Sequence, residues 1–159
     1  MAASDYVVML RESLQKKVSL LRDIIILNDE QKFILEDEGS DPDDFQKNVD
    51  KKDALVSEIV ALDDGFESIF KKVEREFSIN KEAYRDEILR MQDLIREITD
   101  LSERVKKQER INSDLARVKF SSIKAQVKKV RQSQKAVNNY YRNMMKANYY
   151  DPQFYDNKK

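Results

Sequence analysis

The feature that most constrains the fold is a stretch of roughly seventy residues, from about Asn80 to Tyr150, that contains neither glycine nor proline. Aliphatic residues recur along it at spacings of three and four, the period of one face of an α-helix. Charged side chains surround these aliphatics, which is typical of long exposed helices. The sequence therefore predicts an all-α protein.

Composition argues against catalysis. The 159 residues include no Cys, His or Trp, so the chain lacks the usual general base near neutral pH, the thiolate nucleophile and the best transition-metal ligands. No Gly-rich loop that could cradle a phosphate is present either. We expect a protein that is not an enzyme, with no catalytic residues, no cofactor and no metal.

The same composition bears on location. No apolar run approaches the ~18 residues that would span a bilayer, and the start, Met1 to Asp5, does not have the basic and then apolar regions of a signal peptide. The absence of cysteine fits a reducing compartment. We expect a cytoplasmic protein of one domain without membrane insertion.

A first helix is predicted from about residue 4 to 36, with Ser4 or Asp5 as its N-cap. Counting sevens from Val7 gives a heptad seam with one polar member, Asn28. Asn28 either sets the register by finding a partner inside the seam or lies at the edge of a drifting stripe. The seam positions are Val7, Leu14, Leu21, Asn28 and Leu35.

A turn and a second helix, at about 42–76, follow. Gly39 can end the first helix in the left-handed conformation, and Asp41 before Pro42 gives an N-cap and a first-turn proline. A short link sends the second helix back along the first as an antiparallel hairpin. Gly65 lies in its interior, but the apolar phase passes through unbroken, so we expect a continuous helix.

A third helix is predicted over about 80–148, with Ser78 or Asn80 as the cap. At 1.5 Å per residue it would be about 100 Å long, twice the length of the hairpin. Its second half must bend back, project, self-associate or wait for a partner. The predicted architecture is a coiled-coil-like three-helix bundle over residues 1–148, an antiparallel helical hairpin plus a long third helix, with an extended aromatic and basic tail over 149–159.

Charge divides the chain in two. Residues 1–70 hold seventeen acidic and eight basic residues, whereas residues 115–150 hold nine basic and no acidic ones. The basic face either packs along the acidic hairpin or attracts an acidic partner. Nucleic acid is one such partner, but no recognition-helix turn or β platform accompanies the basic residues.

The last part of the third helix is the predicted binding site. A narrow apolar seam that continues past its intramolecular partner is an unsatisfied surface, and an amphipathic helix from another chain would fill it. The predicted contact residues are Leu115, Val118, Ile123, Val127, Val130, Val137, Tyr141 and Met144.

These features resemble the FlgN-type flagellar export chaperones. The resemblance rests on the leading amphipathic helix and acidic loop, on Lys51-Lys52-x-x-Leu55-x-x-x-Ile59-x-x-Leu62, on Gln108 and Asn112-x-x-Leu115, and on the ending Phe154-Tyr155-Asp156-Asn157-Lys158-Lys159. It covers nearly the whole chain. The family's common Gly after the tail tyrosine is missing here.

The resemblance implies a cytoplasmic type III export chaperone. Such proteins bind the C-terminal helical segment of hook-filament junction proteins, prevent premature assembly and deliver them to the flagellar export gate. It places client binding at about Leu115 to Met144 and gate docking at a tail tyrosine, Tyr150 or Tyr155. The alternatives are a structural coiled coil, in which residues 105–147 pair with their own copy, and nucleic-acid binding through the basic third helix.

Overall fold

The computed structural model describes residues 2–121, 134–140 and 142–143. Three helices make up most of these residues: α1 (Ala3–Glu36), α2 (Pro42–Ile79) and α3 (Arg85–Ser121). Residues 134–140, 142 and 143 are also helical, and no strand occurs among the described residues. The prediction of an all-α protein is confirmed.

The turn between α1 and α2 is stabilised by side chains. The Asp43 N–H donates to the Asp41 carboxylate at 3.0 Å, with Pro42 in the first turn, so the predicted N-cap of α2 is confirmed. Gly39 does not have a positive φ, and its predicted left-handed conformation is wrong. Its N–H donates instead to the Asp37 carboxylate at 3.0 Å, and the Ser40 hydroxyl donates to the Ile34 carbonyl at 2.8 Å.

α2 continues through Gly65 without a break, as the unbroken apolar phase predicted. It ends at Ile79 rather than near residue 76, and α3 begins at Arg85 rather than near Asn80. The difference arises because Asn80 closes α2 instead of capping α3. Its N–H donates to the Glu76 carbonyl at 2.9 Å, and its side-chain amide donates to the Glu76 carboxylate at 2.7 Å.

α1 packs against both α2 and α3. Arg11 pairs with Glu87 at 3.1 Å, and Asn28, further along α1, pairs with Gln108 at 3.1 Å. Since later residues of α1 contact later residues of α3, the two helices are parallel. α2 runs antiparallel to both. The apolar core between them is drawn from every helix, with Val7, Leu10, Leu21, Ile24, Val56, Ile59, Val73, Met91, Ile98 and Val105 among its most buried members.

A buried ion pair also joins α1 to α2. Lys17 Nζ lies 2.8 Å and 3.0 Å from the two carboxylate oxygens of Asp63. Burial lowers the pKa of Lys17 and raises the pKa of Asp63, and in each case the partner's charge opposes the shift. Desolvation therefore outweighs the attraction between the two groups.

The prediction of one helix over 80–148 is wrong. Tyr140 contacts Lys52, whose other partner is Glu109. In a continuous helix Tyr140 would lie roughly 47 Å beyond Glu109, at 1.5 Å per residue. The chain has therefore reversed direction after α3. Of the four outcomes that the sequence left open, the described residues show that the chain bends back onto the hairpin.

Candidate functional site

Polar side chains interrupt the apolar core at one level, close to the turn between α1 and α2. They come from all three helices, and each is at most 4% exposed. Groups buried in this way are costly unless they find partners. The six residues, which we call the polar layer, are Asn28, Gln31, Asn48, Lys52, Glu109 and Asn112.

Lys52 and Glu109 form the charged centre of the polar layer. Lys52 Nζ lies 2.9 Å from Glu109 Oε1 and donates to Gln31 Oε1 at 3.2 Å. Burial lowers the pKa of Lys52 below its ordinary value of 10.5, and the attraction of the Glu109 carboxylate opposes part of that shift. The pair links α2 to α3 across the core.

Side-chain amides connect this pair to α1. Gln31 Nε2 donates to Asn48 Oδ1 at 3.0 Å, and Asn48 Nδ2 donates to the Leu27 carbonyl at 2.9 Å. Asn112 Nδ2 donates to both the Asn28 carbonyl, at 3.0 Å, and Gln31 Oε1, at 3.1 Å. The polar layer is thus one hydrogen-bonded network across three helices.

Asn28 has the partner that a register-setting role requires. It is 1% exposed, and its Nδ2 donates to Gln108 Oε1 at 3.1 Å. Gln108 Nε2 in turn donates to the Ile25 carbonyl at 3.2 Å and to Asp29 at 3.0 Å. A shift of α3 by one turn would separate these groups, so the structure favours the first of the two interpretations of Asn28.

The polar layer is the floor of a groove between α2 and α3, and the chain's own C-terminal part covers it. We call residues 134–140, 142 and 143 the return segment. The Tyr140 ring lies over Lys52, with Nζ 3.9 Å from the ring centroid, and Tyr140 is 1% exposed. Val137 faces Phe45 and Ala116 across the same groove, and Asn143 Nδ2 donates to Asp53 Oδ1 at 3.1 Å.

Lys52 and Glu109 were not among the predicted site residues, although the sequence carries a signal for both. Counting sevens from Phe45 gives Lys52 and then Ile59, so a lysine occupies a seam position of α2. Counting sevens from Ile95 reaches Glu109 in the same way. Opposite charges at seam positions of two helices, beside Asn28 on the first, indicate a buried polar layer.

The basic residues that the structure describes near the end of α3 have acidic or carbonyl partners. Lys119 Nζ donates to the Ile34 carbonyl at 3.1 Å and to the Asp37 carbonyl at 2.7 Å, next to the end of α1. A cation is favourable there because the helix C-terminus carries partial negative charge. Arg117 pairs with Asp114. Arg117 and Asp114 belong to the same helix, so the Lys119 contacts are the ones that agree with packing against the acidic hairpin.

The structure separates the predicted client-binding residues. Leu115 and Val137 are partly buried against the core, whereas Val118 is 70% exposed. Ile111, one heptad before Val118, is 48% exposed. The other predicted client-binding residues, Ile123, Val127, Val130, Tyr141 and Met144, lie outside the described residues, as do the predicted gate-docking residues Tyr150 and Tyr155.

The chain matches the family described as FlgN protein over residues 8–147. This chain belongs to the FlgN family. The resemblance seen in the sequence is thereby confirmed, and FlgN proteins are flagellar export chaperones. The match includes the polar layer and the return segment. Searches of curated proteins and of solved structures found no match.

Neither a membrane-spanning helix nor a metal cluster occurs in the part of this FlgN protein that the structure describes. Within the described residues, no helix is long and apolar enough to cross a membrane. The same part of the chain contains no group of three or more acidic side chains arranged to hold a metal ion.

Proposed function

We propose that this protein is a cytoplasmic chaperone that binds the C-terminal helical segment of hook-filament junction proteins, prevents their premature assembly and delivers them to the flagellar export gate. The observation that carries the proposal is the FlgN-family match over residues 8–147, because that family consists of flagellar export chaperones. Reversible binding is sufficient for this function, and no chemical step is required.

Exposed aliphatics on α3 support a client site on its second half. Val118 and Ile111 are spaced by seven residues and therefore lie on one face. Their exposures of 70% and 48% leave them free to contact a client helix. Leu115 and Val137 would join the contact only after a rearrangement. Ile123, Val127, Val130, Tyr141 and Met144 complete the proposed site.

A matched pair of substitutions tests this site. Val118→Asp should weaken binding of a synthetic peptide that spans a client's C-terminal helix by at least about tenfold, because an apolar contact is replaced by a charge. Ile79→Asp is the control, since Ile79 is 65% exposed at the opposite end of the helices. Titration calorimetry measures both. Equal affinities for the two variants would reject Val118 as a contact.

We also propose that the export gate contacts Tyr150 or Tyr155, as membership of the FlgN family suggests. Replacing the correct tyrosine by Ala should leave client affinity unchanged and lower the amount of client exported by cells. Measuring both quantities for each single variant identifies the docking residue. If neither variant lowers export, the tail does not contact the gate through these residues.

One observation favours a homo-oligomer, although through α1 and not through the predicted pairing of residues 105–147. Ile26 and Phe33 lie seven residues apart on the outer face of α1 and are 64% and 74% exposed. Two copies could cover these faces against each other. Light scattering of the pure protein distinguishes the functions, since a monomer that forms a heterodimer with the client supports the chaperone. A homodimer abolished by Phe33→Ser supports the alternative.

A further inference from the structure

The return segment is held by few contacts. Among its described residues, Val137, Tyr140 and Asn143, spaced at three residues, point into the groove, and the small Ala136 is partly buried beside them. Gln134, Lys135, Asn138 and Asn139 are exposed. A cleft of about 390 Å³ separates its first turn from Ser113 and Arg117 of α3. An element with so few buried contacts opens at lower cost than the helices beneath it.

The floor of the groove keeps its own hydrogen bonds without the return segment. Lys52 remains paired with Glu109 and Gln31, and the amides of Asn48 and Asn112 are bonded within the polar layer or to α1. Removing a cover from an apolar floor would expose hydrocarbon to water, whereas a charged and amide-rich floor can be hydrated. Because of the polar layer, the return segment can leave the groove at a lower cost in free energy than it could leave an apolar floor.

Lys52 also determines which side chain the groove recognises. Its ammonium meets the face of the Tyr140 ring at 3.9 Å, the geometry of a cation–π contact in a desolvated place. Three residues before Tyr140, Val137 fills the apolar part of the groove beside Phe45 and Ala116. The matching ligand is an amphipathic helix with an aliphatic residue three positions before an aromatic one.

We propose that the groove between α2 and α3 is a docking site for a client helix that places an aromatic ring over Lys52, and that the return segment occupies this site until the client displaces it. The identity of the occupant rests on the proposed function. The return segment is an intramolecular competitor, so the affinity of the client is reduced by the fraction of molecules in which the groove is closed.

The first test weakens the competitor in the full-length chain. Tyr140→Ala should tighten binding of the client peptide by about tenfold, because the groove is then open in most molecules. The same variant should bind a synthetic peptide of the chain's own residues 134–147, but not that peptide with alanine in place of its first tyrosine. Asn139→Ala is the control, since Asn139 is exposed, and it should change neither affinity.

The second test fixes the return segment in place. The chain has no cysteine, so Asp53→Cys and Asn143→Cys supply the only two thiols, at side chains that are in contact. Joining them with a short bis-maleimide should weaken client binding at least about tenfold relative to the same variant left unjoined. Unchanged affinity after joining would overturn the proposal.

The two proposals fail in different ways. If the client peptide binds the wild-type chain and neither Tyr140→Ala nor the cross-link alters its affinity, the chaperone function stands and the groove is not its site. If the chain's own peptide binds the Tyr140→Ala variant but no client peptide binds any form, the groove docks helices and the client is the wrong occupant. That second result overturns the proposed function.

Discussion

The Nζ atom of Lys52 lies 2.9 Å from Glu109 Oε1, in a place where the Lys52 side chain is 0% and the Glu109 side chain 6% exposed. Opposite charges on α2 and α3 therefore meet inside the core, within the polar layer. Removing one partner leaves the other charge buried, whereas removing both leaves none. This asymmetry distinguishes the pair from the ion pairs on the surface of the molecule.

We predict that Lys52→Met lowers the free energy of unfolding by about 3–5 kcal/mol, because Glu109 is left unpaired. The double variant Lys52→Met with Glu109→Leu should recover most of that loss. Urea denaturation of the wild type, both single variants and the double variant measures the coupling. As a control, Lys71→Met should cost at most about 1 kcal/mol, since the Lys71–Glu67 pair has side-chain exposures of 71% and 54%. Additive losses at Lys52 and Glu109 would contradict the pairing.

The pH dependence of stability should show the buried ammonium. The folded pKa of Lys52 is lowered below 10.5 by desolvation, so between that folded value and 10.5 the unfolded chain binds more protons than the folded chain. Stability contributed by this group therefore rises with pH across that interval. We expect the unfolding free energy of the wild type, relative to Lys52→Met, to increase toward pH 10. A difference that stays flat or falls would show that Lys52 is hydrated in the folded protein.

Gly65→Ala should stabilise the protein by about 1 kcal/mol, because glycine in a helix interior is worse than alanine by that amount. A Cβ atom added at Gly65 meets nothing within 4 Å, so no steric cost offsets the gain. The matched control is Ala61→Gly, at an exposed position one turn earlier in α2, which should lose a similar amount. Thermal unfolding followed by circular dichroism measures both, with expected shifts of roughly 2–4 °C in opposite directions. A destabilising Gly65→Ala would indicate a partner packed against this face.

Hydrogen exchange should rank the helical elements. Amides of the return segment are expected to exchange faster than those of α3 near Val105, because the return segment is anchored by few buried side chains whereas Val105 is 0% exposed. Tyr140→Ala should accelerate exchange in the return segment and leave α1 unaffected. Equal protection of the return segment and α3 would mean that they open together and that the groove is a permanent part of the core.

Much of this fold could be predicted from the sequence because heptad spacing reports directly on which face of a helix is buried. The seam through Val7, the cap at Asp41 and the continuity through Gly65 all follow from local patterns. The reversal after α3 could not be predicted in this way. Residues beyond Leu115 keep an amphipathic period whether they continue as one helix or fold back, since the period does not say which neighbour covers the face.

The binding site was predicted only in part for a related reason. Apolar residues such as Val118 and Val137 share one seam, but the structure exposes the first and packs the second. Lys52 and Glu109 were missed because each looks like an ordinary surface charge unless seam positions on separate helices are compared at the same level. That comparison depends on how α2 and α3 are each aligned against α1, which no short stretch of sequence determines.

The parallel course of α1 and α3 has a practical consequence. The chain's first residues and the groove above Lys52 lie at opposite ends of the molecule, since the 28 residue steps from Ala3 to Gln31 of α1 extend about 42 Å. A bulky group attached ahead of Ala3, such as a fluorophore, an affinity handle or a sensor surface, would stand well away from any incoming helix. Immobilising this protein by its N-terminus should therefore leave capture rates unchanged, whereas the same attachment after the return segment should slow them.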